Sequence, residues 1–252
     1  MSSKDALFRI ASTSFMLVLF CLLAVENSYA QQQSSLPSKS KAVSIELNDF
    51  FAAKSKAHTI LNTTPFQATG SIMVVSNEKE HKSVLETTVM QKLNANEYKA
   101  TVKNSITGGA EKTITIIVKN GIRYTKNGNG PKDPWAKSKV AVLSIADAEK
   151  ALDGRLEKMR EEAERSQLFS MGKTVYNGQK ALIFYQEVDS ASSYFSGRFY
   201  PTSRTVYFWI DEQGRILREV QTDSVKNMDV KVTTEFYYDY QVPIKISANN
   251  LK

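Results

Sequence analysis

The sequence predicts an α+β protein built on a single long antiparallel sheet, with helices covering the sheet's apolar face. Three observations carry this. Apolar and polar residues alternate from Phe66 to Tyr124 and again from Lys180 to Tyr240, the period of a strand with one face turned to a core. Helical patterns of mixed three- and four-residue spacing fall in two stretches, 43–60 and 144–163. Helices and strands do not alternate regularly, as a parallel sheet would require. A sheet this long must curl to hide its apolar face.

The first 30 residues are expected to be a targeting segment, with Lys4 and Arg9 at its start and an apolar run from Phe15 to Val25 too short to span a bilayer. Ser28-Tyr29-Ala30 places small residues at the two positions a signal peptidase reads. Phe20, just before Cys21, stands where a bacterial lipoprotein signal carries a small residue, so Cys21 is not expected to be lipidated. Cys21 is the only cysteine, and cleavage after Ala30 leaves a mature chain with no disulfide, no thiolate nucleophile and no cysteine-ligated metal. Lys4 and Arg9 are balanced by Asp5 and Glu26, so the formal charge of +7 belongs to the mature chain. Its lysines and arginines are spread without a dense run. That pattern predicts no nucleic-acid partner; it reads first as a charge that keeps the protein soluble, and second as a weak attraction to anionic membrane surfaces.

Residues 31–42 (QQQSSLPSKSKA) read as a flexible leader, and 43–252 as one folded domain. In 43–60, Ile45, Leu47, Phe50, Phe51 and Ala57 anchor a helix, with Ser44 or Asn48 as its cap and Thr63-Thr64-Pro65 as its end. A meander follows. Its apolar rows are Phe66, Ala68, Gly70, Ile72 and Val74; then Leu85, Val89 and Leu93; then Tyr98, Ala100 and Val102; then Ile114, Ile116 and Val118. Asn120-Gly121, which tolerates the positive φ of a tight hairpin turn, leads into Ile122 and Tyr124. Residues 128–139 carry two Gly and two Pro around Trp135 and read as a loop. Ser144, with Asp147 three residues on, opens the second helix, striped by Ile145, Ala148, Leu152, Leu156, Met159 and Ala163 and weakened at Gly154. Strands return at 180–188, 204–211, 215–222 and 229–240.

No catalytic set converges. His58 and His81 lack a partner at metal-ligand spacing, and no Gly-x-Ser-x-Gly elbow or phosphate loop is present. Asp211, Glu219 and Asp223 read as hairpin surface chemistry rather than paired catalytic carboxylates. The expectation is a protein without enzymatic activity, cofactor or metal. Two aromatic stretches remain. Ser193–Tyr200 (SYFSGRFY) sets four rings around Arg198. Val206–Ile210 (VYFWI) is apolar on both strand faces, so one face covers the core and the other must meet protein or a bound guest.

A leading helix, a long meander, a mid-chain helix and the late hairpin Tyr207-Phe208-Trp209-Ile210-Asp211, Gly214, Leu217-Arg218 together resemble the LolA/LolB-like superfamily of lipoprotein carriers and LppX/LprG-type lipid-binding proteins. The final strand, ending Tyr240-Gln-Val-Pro-Ile-Lys, adds to the likeness. The resemblance implies a half-open β-barrel whose concave face holds acyl chains beneath the helices. It implies cavity-lining roles for Leu85, Val89, Tyr98, Ala100, Val102, Ile114, Ile116, Phe184, Phe208, Trp209, Phe236 and Tyr238, and a lid formed by Leu152, Leu156 and Met159. The function so implied is non-enzymatic binding or carrying of a lipid or lipidated protein, by a monomer exported to the periplasm or secreted. The alternative is an envelope sensor or protein-interaction module on the same fold.

Overall fold

The computed structural model describes residues 36–76, 81–104, 111–130, 132–195, 198–225 and 230–247. The targeting segment, Cys21 and the first part of the leader lie outside the described residues. The strands are β1 (Val43–Ser44), β2 (Phe66–Ser76), β3 (His81–Asn94), β4 (Glu97–Asn104), β5 (Lys112–Lys119), β6 (Ile122–Asn127), β7 (Trp135–Lys139), β8 (Gln167–Tyr176), β9 (Gln179–Phe195), β10 (Arg198–Asp211), β11 (Ile216–Val225) and β12 (Val230–Asp239). Among the described residues two α-helices accompany them, α1 (Leu47–Thr63) and α2 (Ile145–Glu164), with a short N-terminal helical turn at Lys39–Lys41.

All twelve strands form one sheet in the order β1-β8-β9-β10-β11-β12-β2-β3-β4-β5-β6-β7. Every pairing is antiparallel. Two meanders, β2–β7 and β8–β12, are joined by the β12–β2 pairing, and β1 and β7 are the edges, so the sheet stays open. The fold class expected from the sequence, a half-open barrel with helices on the concave face, is the one observed.

The helices begin where local chemistry allows. Ser144 caps α2, its Oγ accepting from the Asp147 backbone N–H at 3.0 Å, as the sequence predicts. The helix runs unbroken through Gly154, because one exposed glycine costs about 1 kcal/mol, too little to split five turns. The first helix starts later than its pattern predicts. Glu46, without a side-chain bond, is its cap, and Val43–Ser44 pair with β8 instead. Trp135–Lys139, expected as loop, form the edge strand β7.

β8 is a strand the sequence pattern hides. A register shift at Ser170/Gly172, with Gly172 at φ +81°, breaks the two-residue period in its middle. A second shift explains another misreading. Opposite Ile72/Met73 the pairing passes from Glu86 to Val84, so Leu85 is the extra residue and its phase does not carry to Val89.

Candidate functional site: the concave face beneath the helices

Residues paired across strands share a face, so the register divides the sheet into two surfaces. On one, Val206, Phe208 and Ile210 of β10 pack with Leu168, Phe184 and Ile216 against Phe50 and Ala57 of α1. Phe50 meets Phe184 and Phe208 edge-on, with centroids 6.0 and 6.4 Å apart. The same face continues through Tyr238, Phe236, Ala68, Phe66 and Met90, reached by Leu61 near the end of α1. From Met90 the register passes to Ala100 and Ile116, with Tyr98, Val102 and Ile114 alongside. Ala100 and Val102 are buried, whereas Tyr98, Ile114 and Ile116 are half-buried.

The sequence-predicted residues divide accordingly. Tyr98, Ala100, Val102, Ile114, Ile116, Phe184, Phe208, Phe236 and Tyr238 share the helix-covered, concave face. Val89 and Trp209 stand on the opposite, convex face and cannot line the same cavity as Phe208. For Trp209 the reason is the strand period, since neighbours point to opposite sides. For Val89 it is the bulge at Leu85, whose own side chain lies outside the described residues, as do those of His81 and of 192–200. Leu152, Leu156 and Met159 are half-buried on α2, which packs beside α1.

Both faces of Val206–Ile210 are thus met by protein. Trp209, with Tyr207, Ile183, Tyr185, Leu217 and Val220, forms a second buried cluster on the convex face. The Arg218 guanidinium lies 4.5 Å from the Trp209 ring centroid and bonds Glu235 through Nε at 2.8 Å. The N-terminal turn covers this cluster's edge, where Lys39 pairs with Glu187 and sits over Tyr185.

The concave face also holds a polar column that sequence reasoning missed. Lys54 of α1 is buried, donates to Gln186 Oε1 at 2.8 Å and lies 4.9 Å from the Phe208 ring centroid. Gln186 in turn donates to Ser166 Oγ at 2.9 Å. Glu219, paired with Phe208 and Phe236, is hydrogen-bonded to Tyr238. Arg204 binds Asp223 at 2.8 Å and reaches Glu162 of α2 at 3.8 Å. Burial pushes the Lys54 pKa down and the Glu219 pKa up, each opposed by the charge of the other. The available clue was a polar residue in apolar phase. Lys54 follows Phe50 by four, and Gln186 stands between Phe184 and Val188 at the strand period.

On α1 stands His58, whose Nε2 is buried without a hydrogen-bond partner among the described residues. Burial, then the charges of Lys54 and Arg155, lower its pKa to about 4. The unfolded chain therefore binds a proton between pH 6.5 and 4 that the folded chain refuses. This contribution is complete above pH 6.5 and is lost as pH falls towards 4, by up to about 3 kcal/mol. His58→Gln should flatten the stability profile in that window, read as the difference from wild type in urea midpoints at pH 7 and pH 4.5.

A groove of about 500 Å³ opens at one end of this face, between the end of α1, the β3–β4 and β5–β6 turns and the start of α2. Asn62, Asn96, Val142, Leu143, Ile145 and Leu152 are among its lining residues. Val142, Leu143 and Ile145 are exposed, Ile145 to 80%. Asn96 holds this rim in place, its side chain bonding the Leu143 carbonyl at 2.9 Å and N–H at 2.8 Å. Among the described residues no group of His, Cys, Asp and Glu could hold a metal ion, and no helix is long and apolar enough to cross a membrane.

No family model and no curated protein matches the chain. Solved structures do. LprF from Mycobacterium bovis is 8% identical with a TM-score of 0.47, over 81% of this chain and 98% of that one. The lipoprotein LppX of Mycobacterium tuberculosis is 9% identical with a TM-score of 0.43, over 79% and 99%. A LolA superfamily protein from Nitrosomonas europaea is 8% identical with a TM-score of 0.29, over 76% and 93%. Two of these, LppX and the LolA superfamily protein, carry names within the group that the sequence resembles. The fold itself stands on the strand pairing described above.

Proposed function

We propose that the protein binds, without catalysis, a lipid or the acyl chain of a lipidated protein in the cell envelope, as an exported monomer. The guest would enter at the groove between α1 and α2 and lie along the concave row of Tyr98, Ile114 and Ile116, with Leu152, Leu156 and Met159 as the lid. The observation that carries this reading is the apolar rim of that groove. Three large apolar residues, Val142, Leu143 and Ile145, are exposed together beside an opening of about 500 Å³, within the range of small-molecule sites. An exposed apolar cluster of this kind costs nothing to fold around and is favourable to cover.

Ile145 supplies the test, because at 80% exposure its replacement should leave stability within about 0.5 kcal/mol. Ile145→Asp, at the first position of α2, also places an acid where the helix dipole favours it. The expected result is an unchanged urea midpoint with weakened uptake of a fluorescent fatty-acyl probe. Native mass spectrometry of protein from its own host should show adducts of acyl-chain mass. A clean apo mass, with no probe uptake by the unmutated protein, overturns the proposal, and a co-purifying protein in its place favours the sensor alternative.

A further inference from the structure

The convex face of β4–β7 carries a pattern that guest binding does not use. The register places Lys99, Lys126, Lys137 and Lys139 on this face, together with Tyr124 and Trp135. Lys126 pairs directly across from Trp135, and its ammonium lies 5.8 Å from that ring centroid. Lys137 pairs across from Tyr124, with its ammonium 5.7 Å from the ring. Two further lysines of the face are engaged elsewhere. Lys103 lies 3.9 Å from Glu111, and Lys119 donates to the Ile246 carbonyl at 2.8 Å. Glu97 and Glu111 stand at strand ends, and between them the face carries Thr101, Thr115 and the buried Ile117 beside the lysines and rings.

We propose that this convex face docks on an anionic lipid surface. Each feature fits that partner. Lysine ammonium groups on flexible stems follow a fluid layer of phosphate headgroups, each worth about fivefold in partition when near the surface. Tyrosine and tryptophan, with an apolar body and a polar edge, settle at headgroup depth. The lysines now over the rings would exchange a cation–π contact for lipid phosphate and leave the ring faces to the interface. A folded acidic protein would ask for fixed geometry, for which arginine forks serve better, and the one arginine of β4–β7, Arg123, pairs with Val118 on the other face. The docking does not depend on whether the concave face holds a guest.

The test uses sedimentation of the guest-free protein with vesicles of phosphatidylcholine alone or with a third phosphatidylglycerol. Binding should appear with the anionic vesicles only and weaken as salt shortens the screening length from about 10 Å at 0.1 M towards 3 Å at 1 M. Lys126→Gln/Lys137→Gln should reduce it by about twentyfold or more, with circular dichroism unchanged. Trp209 is buried, so a blue shift of tryptophan emission on docking reports Trp135 and should vanish in Trp135→Phe. Equal binding to both vesicle types, or binding indifferent to the lysine changes, overturns the proposal. Retention on heparin without any emission shift on vesicles also overturns it, in favour of a soluble polyanion.

Discussion

Phe208→Ala and Trp209→Ala should each cost about 3–5 kcal/mol, although the two residues are neighbours and point in opposite directions. Phe208 is 2% exposed, sealed under α1 by Phe50 and by the Lys54 ammonium. Trp209 is 4% exposed on the convex face, between the Tyr207 ring and the Arg218 guanidinium. If the convex face were merely solvated, Trp209→Ala would fall near the 0.5 kcal/mol typical of surface changes. The same pair separates two roles. Phe208→Ala opens space on the guest side and should alter acyl-probe uptake, whereas Trp209→Ala should lower stability and leave probe affinity unchanged. Chemical denaturation of both variants, with probe titration at a denaturant-free baseline, checks it. Equal effects of the two on uptake would contradict the division of faces.

That division was half legible in the sequence. Strict period-two stretches such as Phe66–Val74 and Tyr98–Val102 gave their strands and faces directly, because no bulge interrupts their phase. The Ser144 cap was legible because its chemistry is local, contained within four residues. Where pairing adds a residue, phase is lost, and only the partner strand reveals it. β8 vanished behind Gly172, and Val89 was assigned to the wrong side by Leu85. The apolar run Val206–Ile210 announced that both faces are covered, yet no sequence pattern says which residue meets α1. The polar column was missed for a related reason. Lys54, Gln186 and Glu219 come from three elements far apart in the chain, and their meeting is a property of the sheet order.

The strongest consequence of that column is a non-additive pair. Lys54→Met keeps most of the stem that packs on Phe50 and Phe208 but removes the charge that offsets Glu219, and it leaves Gln186 Oε1 without its donor. Breaking a buried charge arrangement by removing one partner costs about 3–5 kcal/mol. Glu219→Gln alone should cost in the same direction, because Lys54 then stays buried with only Glu162 left of the two acids whose charge offsets its burial. Removing both charges together is different. Burial holds the Lys54 pKa below and the Glu219 pKa above their ordinary values, so the charged form of each carries a desolvation cost. Lys54→Met/Glu219→Gln discards both costs and should return to wild-type stability or exceed it. A double-mutant cycle of urea midpoints at pH 7 reads this as a coupling of several kcal/mol. Simple addition of the two single losses would mean that the charges do not compensate one another across the concave face. If the double variant is stable yet takes up acyl probe poorly, the column has a use beyond folding. It would then place a polar contact in the middle of an apolar row, where a guest with one polar end could be held in register.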